Sequence, residues 1–225
     1  MEISDKKWNK QLKDEINKAY YKEIVNHINQ DMKEWITIYP KKENIFAAFD
    51  KTPFDDLKVV IIWQDPYHWE WQAQWFCFSV PEWLKLPPSL RNIYKELNAS
   101  LWIEVSNSWD LTPWTKQWVF LLNAILTVQK WKPASHSKIW WWKFTDSVIK
   151  TISDEKDWII FLLWWAFAQW KKKLIDENKH FILETSHPSP FSAHKWFLWS
   201  DCFKKTNELL KKEWMTEIDW KIKDT

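Results

Sequence analysis

Glycine is absent from this 225-residue chain, although ordinary usage of about 7% would supply roughly 16. Cysteine is scarce as well. Cys77 and Cys202 are the only two, too few and too far apart for a zinc site or an iron–sulfur cluster, and reduced thiols fit an intracellular chain. No metal and no cofactor are expected. No run of about 18 apolar residues could span a bilayer. The opening Met-Glu-Ile-Ser-Asp-Lys-Lys lacks the apolar stretch of a secretion signal, so a cytoplasmic location is expected. Charge of one sign is also missing: 32 Lys+Arg against 30 Asp+Glu leave +2, so any nucleic-acid partner must meet a local basic face rather than a global field.

What stands in place of glycine is tryptophan, 23 of them. The deficit and the excess nearly match, and many of the tryptophans sit where a turn asks for φ > 0 or for close backbone approach. Most of these positions are therefore read as glycine positions of a parent sequence, changed by engineering or by encoding. Five, Trp8, Trp114, Trp141, Trp164 and Trp220, lie in contexts that accept an aromatic residue and should have negative φ. Trp69, Trp109 and Trp131 are the leading candidates for positive φ. Trp63, Trp165 and Trp196 should press Cβ against neighbouring backbone with little room for an indole.

The length fits one α/β domain. Its first 50 residues carry Trp8, Leu12, Ile16, then Tyr21, Ile24, Val25 and Ile28 at helical spacing, without nameable chemistry. Apolar runs at Val59–Ile62, Val119–Leu122, Ile159–Leu163 and Phe181–Leu183 read as buried strands. Helical stretches separate them, at Ser89–Leu97, Lys143–Ile152 and Ala166–Ile175. That alternation predicts a short central four-stranded parallel sheet flanked by helices. No repeat or linker interrupts it, and the Lys/Glu-rich stretch after Leu210 reads as a solvated end. Open parallel sheets bind ligands at the carboxyl ends of their strands. Just past those ends stand Gln64-Asp65-Pro66-Tyr67-His68, Asn123, Trp164 and His187-Pro188-Ser189-Pro190. A carboxylate, an amide and a histidine converge on one rim.

A carboxylate fixed beside water suits hydrolysis, though Asp-Pro also starts ordinary turns. Prolines and hydroxyls after a strand-end histidine suit backbone phosphates, though a lone histidine is more often structural. Taken together, Gln64 to His68, Cys77-Phe78-Ser79-Val80, Pro87-Pro88-Ser89-Leu90, Leu121-Leu122-Asn123-Ala124 and Ser186 to His194 resemble, in order, the motifs of the uracil-DNA glycosylase family. Asp110-Leu111-Thr112-Pro113-Trp114, Phe161-Leu162-Leu163-Trp164 and Lys205 to Leu210 extend the resemblance, which places a catalytic core at 55–222 after a helical segment at 1–50.

The resemblance implies hydrolysis of the N-glycosidic bond of deoxyuridine in single- or double-stranded DNA, by a monomer without cofactor. It implies that Asp65 positions the attacking water and stabilises the sugar cation, while a neutral His187 donates to uracil O2. Asn123 would pair with O4 and N3–H, Phe78 would stack on the flipped base, Tyr67 would exclude a thymine methyl, and the Gln64 backbone would help hold the base. Ser89, Ser189 and Ser192 would pinch phosphates. Phe191 stands where the family usually has a leucine wedge, and an aromatic wedge is physically sound. Trp63, Trp69, Trp71, Trp75, Trp165 and Trp196 fall where the family pattern has glycine. Overpacking at roughly 1–3 kcal/mol per buried site would, over ten such sites, exceed the roughly 5–15 kcal/mol that stabilises a domain. Two alternatives stand beside the enzyme reading: a catalytically silent DNA-binding protein that keeps the scaffold, and a glycosylase of wider base specificity, against which Tyr67 and Asn123 argue.

Overall fold

A computed structural model describes residues 2–70, 72, 76–81, 83–106 and 108–222. Six strands form in it: β1 (Ile38–Tyr39), β2 (Val59–Trp63), β3 (Val119–Asn123), β4 (Val128–Gln129), β5 (Ile160–Leu163) and β6 (Phe181–Glu184). β1 and β4 make a small antiparallel pair. The other four form one parallel sheet in the order β3-β2-β5-β6, as the alternating pattern predicts. β3 and β5 are buried along their whole length, and β2 is buried up to Trp63. A strand covered on both faces has no polar side to alternate with, so these run as unbroken aliphatic and aromatic stretches.

Helices cover the sheet. Ala47–Lys51 and Thr112–Thr115 pack on β3, and Cys202–Lys212 packs on β5 and β6. The N-terminal pattern folds as Lys6–Gln11, Lys13–Ile16 and Ala19–Lys33, with Trp8, Leu12, Ile24 and Ile28 fully buried. Asp5 caps the first of these, accepting from the Trp8 amide at 2.8 Å and satisfying one of the amides a helix start leaves free. The helix Pro88–Leu101 begins with proline at its first turn, where the missing N–H costs nothing.

The end of the chain is not solvated as its composition suggests. Ile218, Trp220 and Ile222 are at most 2% exposed, and Asn207 binds both the carbonyl and the amide of Ile218, at 2.9 and 3.0 Å. Lysines and glutamates dominate the stretch by number, but the three apolar side chains decide its placement.

The tryptophans divide by backbone. Among the described residues, eight tryptophans, Trp35, Trp102, Trp118, Trp131, Trp140, Trp158, Trp199 and Trp214, have φ between 58° and 71°. Trp35, Trp102 and Trp214 end three helices in the left-handed turn that glycine ordinarily supplies. Trp8, Trp114, Trp141, Trp164 and Trp220 have no positive φ and are at most 1% exposed. The first three and Trp220 also place the indole N–H on an acceptor. Of the three leading candidates, only Trp131 is left-handed. Trp69 and Trp109 are not, and Trp109 is held in place by donating its indole N–H to the Leu84 carbonyl at 2.8 Å. Trp196 is 60% exposed and has ample room, and Trp165 has extended backbone at φ 179°. Trp71 and Trp75 lie outside the described residues.

Summed overpacking therefore does not arise as expected. Trp35, Trp102, Trp199 and Trp214 each expose 79% or more of their surface, so those indoles crowd nothing, and the burden falls on backbone conformation and on a few indoles beside the sheet's carboxyl rim.

Candidate active site

The register of the sheet sets the site. β2 and β3 end level, with Trp63 opposite Asn123, and the two loops that follow are tied by Ala124 N–H to Trp63 O and Ile125 N–H to Gln64 O, both at 2.8 Å. Asp65 therefore emerges beside Asn123. β6 lies beyond β5 in the same sheet, and three residues after its end comes His187.

Asp65 is partly buried, and desolvation raises its pKa above the ordinary carboxylate range, opposed by the Ala134 amide and by His68. The Ala134 N–H donates to Asp65 Oδ2 at 2.8 Å. Asn123 is 8% exposed, and its Oδ1 has no hydrogen-bond partner among the described residues. A buried, unpartnered carbonyl carries a desolvation cost that a bound donor would remove. His187 is held by Ser189, whose backbone N–H donates to Nδ1 at 2.8 Å. Burial pushes its pKa down to about 4, so the ring is neutral near pH 7. Because Nδ1 accepts, the ring proton sits on Nε2, which is free to donate.

Phe78 is 2% exposed and adopts φ 65°, a conformation that a bulky residue keeps only when its surroundings enforce it. Its ring lies 4.0 Å from Trp63 and 5.5 Å from Trp164. Trp63 also lies 4.2 Å from His187. Its indole thus joins the aromatic residue that the family resemblance assigns to stacking on a bound base and the imidazole it assigns to donation to O2. Tyr67 is partly buried, and burial raises its pKa, so its phenol is un-ionised. Gln64 is partly buried at the end of β2.

After His187 the chain is stitched by hydroxyls: Ser189 Oγ and Ser192 Oγ lie 3.0 Å apart, and Ser192 Oγ donates to His187 O at 2.9 Å. Phe191, between them, is 88% exposed. Ser89 lies in the first turn of the helix Pro88–Leu101, and Asn92 of that helix donates to Pro188 O at 2.8 Å. The serine-bearing segments are thereby joined.

Sequence reasoning misses Asn92 and the Ala134 amide, because their contacts reach 96 and 69 residues along the chain without a local motif. Among the described residues, one histidine–carboxylate group brings three ligand atoms within 4.8 Å of one another: His27, Asp31 and His136. Two of those atoms are already bonded to each other, His136 Nε2 and Asp31 Oδ2 at 2.8 Å.

A parallel α/β sheet that presents a carboxylate, a buried amide oxygen and a neutral histidine past the carboxyl ends of its strands has the layout of an open-sheet α/β enzyme. Comparison with known proteins narrows it. The Uracil DNA glycosylase superfamily model matches residues 49–211. The uracil-DNA glycosylase of Azobacteroides pseudotrichonymphae is 50% identical over 216 residues, covering 96% of this chain and 98% of that protein. That of Borrelia turicatae is 48% identical over 222 residues, covering 98% and 100%. Among solved structures, mimivirus uracil-DNA glycosylase superimposes with a TM-score of 0.92 at 28% identity, over 96% of this chain and 86% of that one. The chain belongs to the uracil-DNA glycosylase family.

Proposed function

We propose that the chain releases uracil from deoxyuridine in DNA, acting as a monomer in the cytoplasm on single- or double-stranded substrate through the core at 55–222. The observation that carries this reading is the unpartnered, buried Oδ1 of Asn123 on the same rim as Asp65 and the Nε2–H of His187. Uracil presents what those groups lack. Its N3–H satisfies Asn123 Oδ1, its O4 takes the Asn123 amide N–H, and its O2 faces His187 Nε2–H. Cytosine reverses donor and acceptor at the positions Asn123 reads, and a buried site penalises such a mismatch.

Chemistry follows from the charges. As the bond between C1′ and N1 breaks, electrons pass to the base, and His187 stabilises the anion by donation. The Asp65 carboxylate faces the sugar cation and orients a water whose oxygen bonds to C1′. The water's proton is lost to the carboxylate or to solvent, and the uracil anion takes one from solvent. Tyr67 closes the space a 5-methyl group would fill. Phe78 stacks on the base, while Ser89, Ser189 and Ser192 hold phosphates and Phe191 enters the duplex.

The test is release of free uracil from a labelled oligonucleotide containing deoxyuridine. The expected result is release, reduced roughly 10²–10⁴-fold by Asp65→Asn with DNA binding retained. Binding without release would support the silent DNA-binding alternative, which membership of the family does not favour. Undiminished turnover in Asp65→Asn would remove Asp65 from the mechanism.

A further inference from the structure

We propose that His136 and Asp31 are positioning residues for Asp65, acting through the backbone amide of Ala134; this rests on reading Asp65 as the water-orienting carboxylate. Ala134 N–H to Oδ2 is the one hydrogen bond to that carboxylate among the described residues. The donor is unusual. Ala134 is left-handed, φ 57°, in a segment that turns twice, with Ser135 N–H on Lys132 O at 3.2 Å and Ser137 N–H on Ala134 O at 3.0 Å. An alanine stays left-handed only where neighbours fix it.

The neighbours that fix it are the next two residues. Ser135 Oγ accepts from the Gln129 amide at 2.8 Å, tying the segment to β4. His136 is fully buried and bonded at both nitrogens, to Asp31 Oδ2 at 2.8 Å and to Thr127 Oγ1 at 2.7 Å. Proton placement follows from the partners. A carboxylate only accepts, so Nε2 carries the proton, and Nδ1 accepts from the Thr127 hydroxyl. That hydroxyl oxygen in turn accepts the Trp141 indole N–H at 2.7 Å. Asp31 Oδ2 also takes Gln129 Nε2 at 3.0 Å. Burial holds the His136 pKa down against the pull of Asp31, and His27 lowers it further, so the imidazole is neutral and the chain of bonds runs in one sense.

Every polar atom of the His136 ring is thus spent on holding position. A ligand role for a metal would require breaking the bond between His136 and Asp31. The effect of the arrangement is to fix the segment on the far side of Ala134 from the Lys132 turn, so that the amide keeps its aim at Asp65. Asp31 lies in the helix Ala19–Lys33, which gives the N-terminal helical segment a part in the chemistry.

A double-mutant cycle tests this. His136→Gln should lower the single-turnover rate of uracil release roughly 10–100-fold, the scale of a misplaced reacting group, with KM little changed. In an Asp65→Asn background the same substitution should have no further effect. Asp31→Asn, which keeps an acceptor for Nε2–H, should recover most of the rate lost in Asp31→Leu, and this pair serves if His136→Gln does not fold. Independently of turnover, NMR titration of the Asp65 carboxyl should show its midpoint rising in His136→Gln, because the amide that favours the ionised form is lost. Multiplicative losses in the Asp65→Asn background, or an unmoved Asp65 midpoint, overturn the proposal. Loss of rate in Asp65→Asn combined with such multiplicative losses would leave the Asp65 mechanism standing and sink only the role of His136.

Discussion

The indole of Trp63 and the imidazole of His187 lie with ring centroids 4.2 Å apart and planes 35° from parallel. A ring this close to His187, with Phe78 at 4.0 Å on it as well, occupies the faces that the proposed mechanism assigns to the base. Trp63→Gly should therefore increase uracil release by roughly 10-fold or more, since relieving a blocked site recovers about 1–3 kcal/mol, while glycine in a strand costs only about 0.5–1 kcal/mol. Single-turnover kinetics check it. An unchanged rate would mean that the indole does not compete with substrate.

His187 sets an acid limit. Its pKa lies at about 4, below the usual 6.5, because the ring is buried, so the neutral ring, whose Nδ1 accepts from the Ser189 amide, persists as pH falls from 7 to about 5 and is lost toward 4. Stability follows the same direction. The unfolded chain takes up this proton first, so the histidine's contribution is complete above about 6.5 and disappears as pH falls through about 4. Denaturant melts across that window, with imidazole nitrogen NMR to read the tautomer, test both statements; a doubly protonated ring near pH 6 contradicts them.

Phe191 is 88% exposed, so removing it costs the fold little. Phe191→Ala should slow release from duplex DNA, where a hole must be filled, and leave single-stranded substrate nearly unaffected. Equal losses on both substrates would show that Phe191 is no wedge.

Trp35 and Trp214 are 93% and 98% exposed with φ 58° and 59°. Each pays for a left-handed backbone without gaining packing, so Trp35→Gly and Trp214→Gly should each raise stability by about 1 kcal/mol. Trp8→Gly should do the opposite, losing at least about 3 kcal/mol from a filled core site. Chemical denaturation separates the two groups. An intact mass below that of the written sequence would show that glycine already occupies such positions.

The rim was legible because four strands announce themselves as apolar runs, three of them buried and β6 only partly so, and the residues past each run can be read off the sequence: Asp65 three after Ile62, Asn123 directly after Leu122, His187 four after Leu183. What holds those residues was not legible. Ala134 carries no side chain that hints at an amide aimed at Asp65, and Asp31 meets His136 across 105 residues. Trp69 and Trp109 show a different limit. A polar turn context does not by itself fix the sign of φ, and a hydrogen bond from the Trp109 indole to Leu84 O is invisible until the loops are in place. Lysines and glutamates after Leu210 outvoted Ile218, Trp220 and Ile222 in a compositional reading, although burial of three large side chains outweighs any number of solvated charges.

That last stretch also completes part of the aromatic core. Trp220 stands edge-on to Trp114 at 5.0 Å and to Phe203 at 4.9 Å, and its backbone carbonyl takes the Trp114 indole N–H at 3.1 Å. Phe203 also lies 5.9 Å from Trp114, so Trp114, Phe203 and Trp220 form one aromatic cluster. Any partly unfolded species in which residues 218–222 detach bares that cluster, and exposed apolar surface of this kind makes such species prone to aggregate.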